Sequence, residues 1–294
     1  MLKKIGLFLA VFVSILMGVY FATDYYVTKK VTRKIDRKIE ALKPETDIKY
    51  EDCDVSLFSK TIKLENIRII QNKYRKPITI KEALFYKVDR NHKIPYYLGL
   101  KLENFTFPIS SISPEVDYFI SLLDYQGNFT GDFSIDYFFN KEDRSFDLNK
   151  FKLDVDGVGS ISLTSELSDV PVVKKGDSLE TLIFRMLSIK LKHGRLIYKD
   201  RGLFKRAVLA VSKYKKLSPE VVKKKVISRI ESDGNISPNL KKSLIGFVNS
   251  PDTVIFEFSS ETPVSIGSIL FKGNGAEFFK KIDVKVMSVN SQNP

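Results

Sequence analysis

The chain has 294 residues, 43% of them hydrophobic and 28% charged, with a formal net charge of +13. That is enough apolar material for one large folded unit or two ordinary ones, and too much for a disordered chain. One cysteine, Cys53, excludes an intrachain disulfide framework, and with only His92 and His193 beside it there is little from which to build a zinc or haem centre. No Gly-rich phosphate loop, nucleophile elbow or HExxH motif occurs, so neither a cofactor nor an enzymatic reaction is expected.

The first element is an uncharged run from Ile5 to Ala22, IGLFLAVFVSILMGVYFA, preceded by Lys3 and Lys4. Eighteen helical residues reach roughly 27 Å, about the hydrocarbon thickness of a bilayer. A signal peptide cut after Ala22 would place the bulky Tyr20 at position −3, so residues 1–23 read as a retained signal anchor. Lys29, Lys30, Arg33, Lys34, Arg37 and Lys38 follow it, and a count of basic residues alone would hold that side in the cytoplasm. The export-like start and the strand-rich remainder favour the opposite placement. The expectation is a single-pass protein of the inner membrane with its body in the periplasm or extracytoplasmic space. Val27, Val31, Ile35 and Ile39 recur every fourth residue, which predicts a helical stalk over 24–43 that stops before Pro44.

From Thr46 the apolar period falls from about 3.6 to 2. Ile48 and Tyr50, then Cys53, Val55 and Leu57, alternate with polar neighbours, and Ile62, Leu64, Ile67 and Ile69 follow with a change of phase at Asn66 that suggests a bulge. Further strands are predicted at 78–88, 97–107, 129–139, 146–156 and 158–167, with a short helix in 114–124. In the segment FTGDFSIDYFF, Phe129, Phe133, Ile135, Tyr137 and Phe139 share an apolar face, and Thr130, Asp132, Ser134 and Asp136 a polar one. That pattern belongs to an antiparallel sheet covered on one side only.

Helical periodicity returns at 178–188. After a strand at 189–199, three helices are predicted: 202–216, one opened by Ser218-Pro219 and one opened by Ser237-Pro238 and ended by Pro251. Alternation resumes at Val254, Phe256 and Phe258, and again at Ile282, Val284 and Val286. The expected fold class is α+β: an N-terminal transmembrane helix, then a twisted antiparallel β-sheet body over 44–289 with a helical insertion at about 178–250, and a frayed tail at 290–294. A division into two domains near residue 170 is the alternative.

Charge is concentrated. Residues 190–225 hold thirteen basic and two acidic residues, net +11, residues 1–42 hold +5, and the remainder sums to −3. Lys213, Lys215, Lys216, Lys223, Lys224 and Lys225 are either a solvated helix face or a surface for anionic phospholipid or lipopolysaccharide headgroups. Tyr198, Phe204 and Tyr214 are sparse interleaving for base stacking, which weighs against nucleic acid. The other partners expected are the bilayer itself and an envelope protein.

Among residues able to do chemistry, His193 with Asp200 can form a general base and its orienter, and Asp154 with Asp156, or Asp132 with Asp136, can bind a cation or work as an acid–base pair. No nucleophile accompanies them. Surface histidine and solvent-facing aspartates are the plainer reading, and Cys53, on an apolar phase, reads as a small buried hydrophobe.

The anchor followed by DIKYEDCDVSLFSKTIKLENIRI, a strand, a phase shift and a second strand closing on Asn-Ile-Arg-Ile, resembles the N-terminal region of AsmA-like envelope proteins. The resemblance covers about 70 residues and implies an elongated β-sheet with an apolar groove and a part in envelope lipid organisation or transport. The functional expectation is a non-enzymatic, membrane-anchored periplasmic protein of that kind, or a scaffold. The alternatives are an envelope hydrolase or transferase and a cytoplasm-facing nucleic-acid binder.

Overall fold

The structure, a computed structural model, describes residues 23, 25–43, 45–71, 76–89, 91–92, 95–109, 120–172, 181, 185–234, 236–267 and 283–289. A helix at 25–40, α1, leads into the strands β1 (Thr46–Lys49), β2 (Asp52–Ser56), β3 (Thr61–Gln71), β4 (Ile78–Val88), β5 (Tyr97–Pro108), β6 (Asn128–Asn140), β7 (Ser145–Val155), β8 (Gly159–Ser168) and β9 (Lys190–Asp200). Three helices follow, α2 (Leu203–Lys215), α3 (Pro219–Ser232) and α4 (Pro238–Asn249), and then β10 (Thr253–Ser265) and β11 (Asp283–Val289). The punctuation works as expected locally. The Ser218 and Ser237 hydroxyls accept from the backbone N–H groups of Val221 and Leu240, and each is followed by proline in the first turn.

All eleven strands form one antiparallel sheet in the order β1-β3-β4-β5-β6-β7-β8-β9-β10-β11, with β2 paired to β3 beside β1. Register lines the apolar positions up across it. Val55, Ile62, Phe85, Leu100, Ile135, Phe151, Leu163, Leu196 and Phe256 oppose one another strand by strand from β2 to β10. Cys53, Leu64, Ala83, Leu102, Phe133, Leu153, Ile161, Tyr198 and Val254 form a second row one pleat away. The phase change read at Asn66 is real, but it is not a slip against β4, whose register with β3 runs unbroken. Asn66 instead adopts φ 51°, and Asn104 on β5 adopts φ 48°. Asparagine tolerates this left-handed region better than most residues, so the alternation can switch while Leu64 and Ile67 both stay inward.

The two ends of this apolar face are covered. At the first end α1 lies against β2: the Thr28 hydroxyl donates to the Val55 carbonyl at 3.5 Å, and the Tyr50 hydroxyl donates to Asp36 at 2.5 Å. Cys53, Val55, Ile67, Ile80 and Ala83 are buried here. At the last end Phe247 of α4 packs 6.0 Å from the Tyr198 ring and 5.3 Å from Phe204 of α2. Val208, Val222, Val248 and Val254 are buried there. Among the described residues of the five strands from β4 to β8, the only buried hydrophobic ones are Ile80 and Ala83, both on β4.

The expected fold class is corrected accordingly. The protein is sheet-dominated rather than α+β, because a single sheet runs from Thr46 to Val289 and the three-helix insertion begins only at Leu203, after β9. No helix among the described residues is long and apolar enough to cross a membrane. The run Ile5 to Ala22 lies outside the described residues, as do most of the helix expected at 178–188 and the tail at 290–294. The expectation of a single-pass inner-membrane protein with a periplasmic body is therefore not retained: no described helix could serve as its span.

Candidate functional site

The residues of the predicted apolar face come together with partners that periodicity alone did not pick out. On β6, Phe129, Phe133, Ile135, Tyr137 and Phe139 are each half-buried. Phe133 sits between Leu102 and Leu153, and Ile135 between Leu100 and Phe151. The Phe133 and Phe151 rings meet edge to face at 5.6 Å, while Tyr137 stacks on Phe146 at 5.4 Å. The Tyr137 hydroxyl donates to the Pro95 carbonyl, so its polar end is satisfied at the rim of the face. Leu100, Leu102, Phe151, Leu153 and Leu163 are also only half-buried, and Ile161 is 40% exposed. The middle of the sheet is thus an apolar floor without a lid among the described residues.

Glycines shape this floor. A Cβ at Gly194 would fall 1.8 Å from Cζ at the end of the Phe258 ring on the neighbouring strand. Under α1 the floor opens into a cavity of about 510 Å³, lined by Val27, Val55, Leu57, Ile62, Phe85, Val88 and Tyr97 among others. That volume is of the size that small-molecule sites occupy.

The other face is polar, but not uniformly wet. Asp136 and Ser134, read from sequence as solvent-facing, are buried at 8% and 6% exposure. Asp136 accepts from Lys87 Nζ at 2.9 Å and from Asn149 at 3.2 Å. Asn149 is the extra residue where β7 slips against β6, so the bulge delivers the donor that a buried carboxylate needs. Burial disfavours the charge on Asp136, and the hydrogen bonds from Lys87 and Asn149 outweigh it, holding the carboxyl below the usual carboxylate range.

The constellations considered for chemistry are not assembled. Asp132 is exposed and accepts from the Asn104 backbone N–H, four residues along the strand from Asp136. Asp154 is taken up by the guanidinium of Arg201 and Asp156 by the Thr130 hydroxyl. His193 is exposed, seven residues and about 23 Å of strand from Asp200. Asp200 instead accepts from Tyr198 and from the backbone N–H groups of Gly202 and Phe204, tying the start of α2 to the end of β9. Cys53 is buried, and that burial pushes its thiol pKa up. No cluster of metal-ligating residues occurs among the described residues.

One acid–base contact escaped the sequence reading. In the β4–β5 connection Asp89 is buried, accepts from the backbone N–H groups of Tyr96 and Asn91, and lies 2.7 Å from His92 Nδ1. The His92 ring stacks on Tyr96 at 3.9 Å. The Tyr96 N–H, with further donation from Asn91 and His92, overcomes burial and holds the Asp89 carboxyl down at about 2. The arrangement pins the β4–β5 connection. Only its three-residue spacing marks it in the sequence.

The six lysines of the insertion are on α2, at its C-cap and on α3; Lys223 is half-buried and the other five are exposed. None of the six makes an ion pair among the described residues.

A family model described only as an uncharacterized protein matches residues 152–289, a little under half of the chain, from β7 through β11. No curated protein matches the chain.

Proposed function

We propose that the protein is a non-catalytic binding protein that holds the acyl chains of lipid along the apolar floor of its sheet. The observation that carries this reading is the split of the buried core. Buried hydrophobic residues gather under α1 at one end and under α2–α4 at the other, while the register-matched rows between them stay only half-buried, with Ile161 exposed. Monomeric proteins rarely leave a contiguous apolar surface of this kind without a ligand or partner for it. A long flexible chain suits it better than a compact ligand, because the rows run across strands about 4.8 Å apart without a polar interruption from Val55 to Phe256. The resemblance of the β1–β3 region to AsmA-like envelope proteins points the same way.

The test is photo-crosslinking in the full chain, with a photoreactive phenylalanine analogue in place of Phe151 or Leu163 on the floor, or of Lys152 on the opposite face. After purification from cells, lipid adducts detected by mass are expected at the floor positions and not at Lys152. No adduct anywhere, or equal labelling of the two faces, rejects the reading.

A further inference from the structure

From the surface of the helical insertion we infer that α2 and α3 dock on an anionic lipid bilayer, inserting exposed apolar side chains between headgroups while their lysines face the phosphates. Net charge alone does not carry this, because a solvated helix would carry the same lysines. What the fold adds is apolar surface among them. Tyr214 is 74% exposed, and Leu209, Val211, Val221 and Val226 are all more than a third exposed. Soluble helices normally turn such residues inward. Here the inward positions are already occupied by Val208 and Val222.

The arrangement is ordered along the helix. Lys205, Leu209 and Lys213 follow one another at four-residue spacing on α2, on a cleft of about 450 Å³ that also takes in the exposed Leu122. Lys215 Nζ lies 5.1 Å from the Tyr214 ring centre, so the exposed aromatic carries a cation beside it. On α3, Lys224 follows Val221 by one turn, with Lys225 next to it, all exposed. No described acidic side chain is paired with any of these lysines, so the charge is available to an anionic surface. Exposed apolar side chains flanked by unpaired lysines, as Leu209 is by Lys205 and Lys213 and Tyr214 by Lys215, suit shallow contact with a headgroup layer. Duplex nucleic acid, the other polyanion, offers no apolar phase for Leu209, Val211 and Tyr214.

This inference does not rest on acyl-chain binding by the floor, and its test separates the two. Flotation of the full chain with vesicles of neutral phosphatidylcholine, or with 30% phosphatidylglycerol, is measured at low and high salt. Only the preference for anionic over neutral vesicles is read, since apolar binding by any other part of the chain is common to both. Each lysine near a charged surface is worth about fivefold in partition, so a preference of at least tenfold, lost at high salt, is expected. Replacing Lys205, Lys213, Lys215, Lys216, Lys224 and Lys225 with Gln removes that preference, whereas replacing Lys29, Lys30, Lys34 and Lys38 of α1 leaves it. Should the six-fold variant melt earlier than the wild type, the pair Lys213→Glu and Lys224→Glu reads the same effect. Leu209→Ser with Tyr214→Ser is expected to weaken binding to anionic vesicles while keeping its salt dependence. No anionic preference, a preference carried by the α1 lysines, or tighter binding to a 20-base-pair duplex than to anionic vesicles at the same salt overturns the inference.

Discussion

The covered ends of the sheet and its open middle are made of the same kinds of residue in the same alternation, yet they end in different states. Val55 at one end and Val254 at the other are 3% and 4% exposed, whereas Ile135, Phe151 and Leu163 on the same face remain half-buried. The difference comes from what the chain places above them: α1 over β2, and the α2–α4 insertion over β9 and β10. Alternation specifies a face, and only packing from another element decides whether that face is a core or a surface.

The largest expected effect tests this contrast directly. Val254→Asp puts a charge beneath α4 and is expected to cost about 4 kcal/mol or more, enough to lower the midpoint of thermal unfolding steeply or prevent folding. Ile135→Asp on the floor is expected to cost only about 1–2 kcal/mol while abolishing lipid adducts from a photoreactive residue at Phe151. Equal thermal shifts for the two would mean that the floor is a closed core. Next in size is Gly194→Ala, where the new methyl must displace the Phe258 ring; overpacking of about 1–3 kcal/mol is expected by denaturant unfolding. Asp136→Ala leaves the Asn149 donor without its acceptor and is expected to cost about 1–2 kcal/mol, while Asp132→Asn, exposed and still able to accept from Asn104, stays within about 0.5 kcal/mol.

A further expectation is a pH dependence. The folded-state pKa of Asp89 is about 2, below the ordinary carboxylate value of about 3.9. Its ionised form therefore contributes stability that is fully present above about pH 4 and is lost as pH falls toward 2. Asp89→Asn is expected to flatten the stability profile across that interval in acid unfolding followed by circular dichroism, and an unchanged profile would remove Asp89 from the account.

Much of the sheet was legible in the sequence because each strand carries its own alternation. The segment read at 129–139 is β6 at Asn128–Asn140, and the one at 97–107 is β5 at Tyr97–Pro108. The serine-proline helix starts were equally local. What escaped was non-local. Asp136 reads as solvent-facing because alternation assigns it to the polar side, and only the slip at Asn149 with the reach of Lys87 from β4 makes that side a buried polar cluster. The fold class missed because three capped helices in sequence suggest an equal helical layer, whereas they cover only the last strands. The floor itself was half visible: the β6 residues were found, and their partners on β5, β7 and β8 emerged only once register was known.

Register has one further consequence, for how the molecule comes apart. From β4 to β11 every described strand pairs only with its sequence neighbours, so this part of the sheet is a meander. The β6–β7 and β7–β8 hairpins close short connections, which favours fast local formation, whereas the α2–α4 insertion separates β9 from β10; the whole is a chain of nearest-neighbour couplings like that of a repeat array. Cover from above the sheet is weakest across β5 to β8, where no Ala, Val, Ile, Leu or Phe side chain is buried. Opening should therefore begin in the middle and spread outward, leaving the two helix-covered ends as separately persistent units, and amide hydrogen exchange would read this as a protection minimum at the centre of the sheet rather than at its edges.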